Sequence, residues 1–408
     1  MVVTVFLCGA RAAILAVAIS TIILAVHLIK KRVKVNFTFL HYMAMGGACI
    51  LLFTGMYFMK KDSADGRLLI WHCSGQLVKE APLLGHGDNG FTARYMMKQA
   101  SYFSQYPESK YAMLADNIHH PFNEFIKEMV EYGIIGFLLI LLLLLYPYCY
   151  SRKDKSMQLF VIRISTLSIG VCALFSYPLD YPFPLLIVVM LVAFVSTSMK
   201  KTNISASNGT IVKSLLIVCS VILFALTGYE IYYEHKWKSV AYSSLAGQTE
   251  IMLPEYDYLY KNTYLGNKGL FLYNYGAELN YIGRYNESNR VLLMCSKYLN
   301  DYDVQMLLGY NYEKLDSFNY AEKHHILAHK MVLVKFMPLY SLTKLYDKTG
   351  QTEKARTLAE EIINKEVKIP SLRITRIKKE MQQLISKMAE EKGLPPDAGD
   401  VKVKSGMK

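Results

Sequence analysis

The sequence predicts an all-α protein in two parts: about six membrane spans, then an exterior domain of repeated helical hairpins. Three observations predict it. Of 408 residues, 52% are hydrophobic and the mean hydropathy is positive, more than a soluble domain usually carries. Several apolar runs reach the roughly 18 residues that cross a bilayer core of about 30 Å as a helix. Beyond them, small residues recur at a spacing of 33 and 34 positions.

The expected spans are Met1 to Ile29, Phe37 to Met59, Tyr132 to Tyr150, Met157 to Tyr177, Pro182 to Met199 and Ser214 to Tyr232. The first lacks a basic amino end, is too long for a signal peptide and carries Arg11 within its apolar stretch, so it reads as a true span. Lys and Arg of short loops accumulate on the cytoplasmic side. The basic loops Lys30 to Lys34 and Ser151 to Lys155, and the pair Lys200 and Lys201 with Lys213, alternate across the spans and are assigned to that side. Residues 60–131, the turn Pro178 to Pro182 and everything after Tyr232 then fall outside the cytoplasm.

The membrane domain is thus expected over 1–232, with its large exterior loop at 60–131. A repeat domain is expected over 233–394 and a disordered tail over 395–408. In the repeat region, Ser288, Ala321 and Ala355 align; Gly276 and Gly309 precede the first two by 12 positions, and Ala328 follows Ala321 by seven. Paired helices need small residues where they cross closely and a tight turn between them, which is the tetratricopeptide pattern. Such arrays bind many kinds of partner or serve structure alone, and the spacing does not choose between these.

The formal charge of +13 is spread over cytoplasmic loops and a helical tail, with no zinc signature and no RNA-binding aromatic motif, so nucleic acid is not an expected partner. Of seven cysteines, five lie in spans, and Cys73 and Cys295 fall in separate exterior segments, so no disulfide framework is indicated. No CxxC or HExxH spacing occurs. Neither metal nor cofactor is expected.

The exterior loop opens with "ADGRLLIWHCSGQLVKEAPLLGHGDNGF" (Ala64 to Phe91) and closes with "HHPFNEFIKEMVEYGIIG" (His119 to Gly136). Over Met1 to about Met199 the chain resembles the O-antigen ligase and polymerase superfamily, which transfers glycans from polyprenyl diphosphates. Relatives carry an Arg shortly before a Trp, a "HPLLGxGxxxF" stretch, then a His/Asn/Glu cluster followed by "EYGxxG" and a span. "GARAAILA" around Arg11 is similar to the arginine-bearing helix ahead of this loop. Relatives often have a histidine directly before the asparagine; here Phe122 stands there. They also have about a dozen spans, so the chain is expected to be an amino-terminally truncated member.

The resemblance implies a membrane glycosyltransferase that moves an oligosaccharide from a polyprenyl-diphosphate carrier to an acceptor. O-antigen ligation to a lipid core comes first, protein O-glycosylation and chain polymerisation next. An inactive membrane scaffold whose repeat domain recruits a protein partner is the reading from another class. The residue chemistry agrees. A diphosphate needs cations at the membrane surface, and a guanidinium binds phosphate oxygens bidentately without losing its charge. Arg11 and Arg67 are the diphosphate candidates, with Arg94 a weaker third; snorkelling to headgroups is the competing reading for Arg11.

Transfer to a hydroxyl benefits from a base near neutrality, which histidine supplies. His120, with Asn123 and Glu124 beyond it, would form the catalytic rim, and His119 competes for the role of base. A helix starting near Pro121 with merely interfacial polar residues is the alternative. His72 and His86 read as loop residues, "GHGDNG" as a tight turn, and "EYGIIG" as a packing element. Since His120 precedes Pro121, it should be extended and point toward the segment carrying Arg67, with His119 directed elsewhere.

Overall fold

The computed structural model describes residues 11–33, 60–150, 156–197 and 206–391, together with isolated positions between 43 and 58. The second expected span and the tail at 395–408 therefore lie largely or wholly outside the described residues, as do most of the basic loops. The described chain is helical throughout: α1 (Arg11–Val33), α2 (Lys61–Glu80), α3 (Gly90–Gln105), α4 (Glu124–Tyr150), α5 (Met157–Ala173), α6 (Pro182–Thr197) and α7 (Ala206–Ser243). Then follow α8 (Thr249–Asn262), α9 (Gly269–Tyr281), α10 (Tyr285–Cys295), α11 (Tyr302–Lys314), α12 (Phe318–Met331), α13 (Met337–Lys348), α14 (Thr352–Asn364) and α15 (Leu372–Glu391).

Three stretches are long and apolar enough to cross a membrane, Ala12–Arg32, Glu124–Cys149 and Lys213–Asn262, and α5 and α6 are shorter apolar helices. Many of their leucines, valines and phenylalanines face outward, Leu138, Leu142, Leu186, Val189, Leu223 and Phe224 among them. In water that surface would be a large aggregation liability; in lipid it needs no protein partner.

Helix α1 packs along α5. Cys172 Sγ lies 3.8 Å from the Ala12 carbonyl, the hydroxyls of Ser20 and Ser168 meet at 2.6 Å, and the His27 and Phe160 rings stack at 3.8 Å. The falling partner numbers make the pair antiparallel, so the start of α1, the end of α5 and the start of α4 share one end of the bundle, called the rim below.

The expected loop 60–131 is largely two helices, α2 and α3, and two glycines lock it to α4. Backbone bonds run from His86 N to Val130 O and from Gly87 N to Glu131 O, both 2.9 Å, and from Ile134 N to Pro82 O, 2.9 Å. Where the strands of this crossing touch, Gly85 has φ +68° and Gly133 φ +64°. A Cβ on Gly85 would lie 2.4 Å from the Glu131 carbonyl group, and one on Gly133 would lie 2.3 Å from that of Leu83. The "PLLGHG" and "EYG" stretches are thus two halves of one backbone clasp. Gly133 also breaks α4, separating the segment beginning at Glu124 from the apolar helix beyond it.

Helix α7 runs unbroken through the expected domain boundary at 232 and 233, because only its polarity changes there. Past a π turn at Ser244–Gln248, the pairs α9/α10, α11/α12 and α13/α14 stack in chain order, with α15 against α14. Ser288, Ala321, Ala328 and Ala355 are fully buried. A Cβ on Gly276 would meet the Leu292 side chain at 2.7 Å, and one on Gly309 the His325 ring at 2.6 Å. Ser288 donates to Gly276 O at 2.6 Å and accepts from Asn311 at 2.8 Å, tying one pair to the next.

The helical pairs are docked on the rim rather than tethered to it. Leu69, Leu77, Phe91, Tyr95 and Phe103 share one core with Tyr302, Ala328, Met331 and Val332. Burying a side chain such as Met331 contributes about 1.5–3 kcal/mol. Gln99 Nε2, itself buried, donates to Met331 O at 2.6 Å, Asn300 N donates to Thr92 O at 3.1 Å, and Thr92 Oγ1 donates to Tyr298 O at 2.7 Å.

Candidate functional site

The rim is built where α4 begins. Sequence reasoning placed that beginning near Pro121; the helix starts at Glu124 instead. Phe122 has φ +52°, a value bulky residues rarely adopt, and Asn123 Oδ1 accepts from Ile126 N at 3.0 Å as a cap. The Trp71 indole donates to Pro121 O at 2.9 Å and fixes the approach from the α2 side.

From this position the side chains reach the α5–α6 turn. Asn123 Nδ2 donates to Leu174 O at 3.0 Å, and Glu124 Oε2, buried, accepts from Leu179 N at 3.2 Å. Lys127 pairs with Asp180. Asn123 and Glu124 thus hold the turn in place, and the residues that face outward are others.

His120 is stacked on Tyr177, with ring centroids 4.3 Å apart and planes 12° from parallel, and its Nδ1 lies 3.4 Å from Asp180 Oδ2. That is an ion-pair approach rather than a formed hydrogen bond. Burial alone would raise the Asp180 carboxyl; the imidazole and the Lys127 ammonium against it outweigh this and hold it below its ordinary value. Arg67 donates to Phe175 O at 3.0 Å, and its guanidinium carbon sits 5.2 Å from the centroid of Phe122. Phe122 is in turn 5.9 Å from Tyr177. At the position where the resemblance leads to the expectation of a histidine, Phe122 supplies an aromatic face to the Arg67 guanidinium.

Arg67 and His120 are therefore brought to one rim through Tyr177 and Phe122. Arg67 also lines a cavity of about 170 Å³ with Asp62, Gln99, Asp116 and Phe122. Arg11 opens α1 at the rim end of the bundle; its side chain lies outside what the structure describes. His119 points the other way, to the docked helical pairs. Its Nε2 donates to Asp301 Oδ2 at 2.8 Å, and Asn117 Nδ2 donates to Asp301 and Asp303 at 3.1 and 3.0 Å.

Tyr177 and Asp180 escaped sequence reasoning. The "PLDYP" turn, with Tyr177 just before it, held an aspartate and a tyrosine at a span end, but nothing local says which loop they meet. His72, read as a loop residue, lies exposed on helix α2, and His86, in the turn after it, is half-buried with Nε2 2.9 Å from Leu77 O. Among the described residues no cluster of His, Cys, Asp and Glu could hold a metal ion.

The His119–Asp301 pair should make docking pH-dependent. The hydrogen bond to Asp301 raises His119 above its ordinary value, despite burial acting the other way. Asp301 would be raised by burial, but His119, Val304 N and Asn117 hold it below its ordinary value. The histidine's contribution is present below the ordinary imidazole value and is lost as pH rises through the raised one; that of Asp301 is lost only in strong acid. Amide exchange at residues 298–304 should accelerate between about pH 6 and pH 9 in the wild type beyond the intrinsic rise, and not in His119→Gln. Equal profiles would show that this pair does not secure the junction.

Residues 1–141 match the family model described as O-antigen ligase, a stretch that includes Arg11, Arg67, His119, His120, Asn123 and Glu124 and ends before Tyr177 and Asp180. The chain is also 26% identical over 95 residues to an uncharacterized protein of Haemophilus influenzae. That similarity covers 23% of this chain and 22% of the relative, so less than a quarter of the relative's length is spanned.

Proposed function

We propose that this chain, whose residues 1–141 carry the O-antigen ligase family domain, moves an oligosaccharide from a polyprenyl diphosphate to an acceptor hydroxyl, most directly the saccharide core of a lipid. The observation that carries the reading is the placement of Arg67 and the His120–Asp180 pair, linked through Phe122 and Tyr177, at one end of a helix bundle with an apolar outer surface. The other ring nitrogen of His120, Nε2, has no protein partner among the described residues, and the side chain is 41% exposed.

In the proposed reaction the acceptor oxygen bonds to the anomeric carbon as the carbon–oxygen bond to the diphosphate breaks. The acceptor proton passes to His120, whose imidazolium is stabilised by Asp180. Arg67, with Arg11 at the same end of the bundle, neutralises the charge that develops on the departing diphosphate. Asn123 and Glu124 act as positioning residues, holding the turn that carries Tyr177 and Asp180. No cofactor or metal is invoked.

The test is transfer by the purified chain in liposomes, with a polyprenyl-diphosphate-linked oligosaccharide as donor. Arg67→Lys keeps the charge but loses the fork, and should cost about 10²-fold in turnover. Wild-type turnover in that variant would remove Arg67 from the diphosphate. No transfer by wild type to lipid core, protein or glycan would favour the scaffold reading instead.

The same reading puts the rim and the helical pairs on the periplasmic face of a bacterial cytoplasmic membrane. A cysteine at exposed Gln248, in a chain without its native cysteines, should react with an impermeant thiol reagent on intact spheroplasts, and one at Ser156 should not. The reverse pattern would place the rim in the cytoplasm, where the proposed chemistry has no donor.

A further inference from the structure

A second cleft adjoins the cavity that holds Arg67, and none of its residues has a role in the reaction proposed above. It measures about 520 Å³ and shares Ala115 and Asp116 with the cavity that holds Arg67. One wall carries Asp116, from the segment between α3 and α4, and Asp303, from α11; the other, from the loops before α13 and α15 and the start of α15, carries Lys335, Lys368 and Arg373. Asp303 is steadied by Asn117. None of the three cations has a carboxylate within ion-pair distance among the described residues. Lys335 sits 3.9 Å over the Tyr302 ring, near enough to Asp303 that its ammonium partly offsets the rise burial causes in that carboxyl, and Lys368 and Arg373 are exposed.

Three cations from separate positions facing one cleft repel each other, and an anion placed among them relieves that repulsion. The guanidinium fork suits phosphate or carboxylate oxygens. Carboxylates on the opposite wall would repel a bare anion but accept hydrogen bonds from hydroxyls. A ligand with anionic groups on one side and hydroxyls on the other satisfies both walls.

We propose that this cleft binds the acceptor as an anionic saccharide, its phosphate or carboxylate groups on Lys335, Lys368 and Arg373 and its hydroxyls donating to Asp116 and Asp303. The choice of acceptor rests on the glycan-transfer reading; the site itself rests on the two walls. Sharing Asp116 with the Arg67 cavity puts such an acceptor next to the rim.

The test is calorimetric binding to the purified full chain in detergent, with mannotriose 6-phosphate, mannotriose and inorganic phosphate as probes. The phosphorylated sugar should bind at least about tenfold more tightly than either of the others. Lys335→Ala with Arg373→Ala should erase that preference at an unchanged melting temperature, and Asp303→Asn should weaken both sugars but not phosphate. Equal binding of phosphorylated and neutral sugar, an undiminished preference in the double variant, or phosphate matching the phosphorylated sugar would each overturn the proposal. So would hexaglutamate displacing the sugar at lower concentration, which would mark a peptide site. Arg67→Lys should leave this binding intact while impairing transfer, so failure of the cleft and failure of the transfer reading give different results.

Discussion

His120→Ala is expected to lower glycan transfer by at least about 10²-fold with normal membrane insertion, the contribution of a positioned base being typically about 10² to 10⁴. The ring is held from two sides, by the face of Tyr177 and by the carboxylate of Asp180, so alanine removes the proton acceptor without leaving a substitute. Asp180→Asn keeps the shape but loses the charge that stabilises the imidazolium, and should lower kcat more than it raises KM. His119→Ala should act differently, because His119 is bonded to Asp301: a smaller loss, accompanied by faster amide exchange at the junction. Turnover kinetics of the three variants in liposomes decide this. A crippled His119→Ala beside a near-normal His120→Ala would reassign the base, and normal turnover in both would remove base catalysis by this pair.

Gly133→Ala should sharply lower the thermal stability of the folded protein. At φ +64° and ψ −160° the backbone is in a region essentially restricted to glycine, which costs another residue about 1–3 kcal/mol. The new methyl would also stand 2.3 Å from the Leu83 carbonyl group, backbone that cannot rotate away, for a further cost of about 1–3 kcal/mol. Against a typical total of about 5–15 kcal/mol, that is a large share. The measurement is the midpoint of thermal aggregation in detergent, with Gly75→Ala as control, since a Cβ there meets nothing within 4 Å. Equal midpoints would show that the clasp between residues 82–87 and 130–134 does not hold the rim to α4.

How much of this was legible depended on the range of the forces involved. Hydropathy and helical spacing act within one segment, and they located the apolar helices and the small residues Ser288, Ala321 and Ala355. Motif resemblance located Arg67, His120, Asn123 and Glu124, but not their division of labour. Asn123 and Glu124 bond to the α5–α6 turn, and the start of α4 shifted to Glu124 because Phe122 takes a left-handed conformation.

The sequence by itself determined an all-helical chain, its apolar stretches and the spacing of small residues in the helical pairs. Only the tertiary structure decided which histidine faces which carboxylate. His120 meets Asp180, 60 positions on, because α4 and the α5–α6 turn share the rim, and His119 meets Asp301 because a common apolar core seats the helical pairs there. Pro121 gives His120 a local direction that differs from that of His119, but names a partner for neither. Their roles separate only when the chain is packed, since a charge is steered by the group that arrives beside it in space.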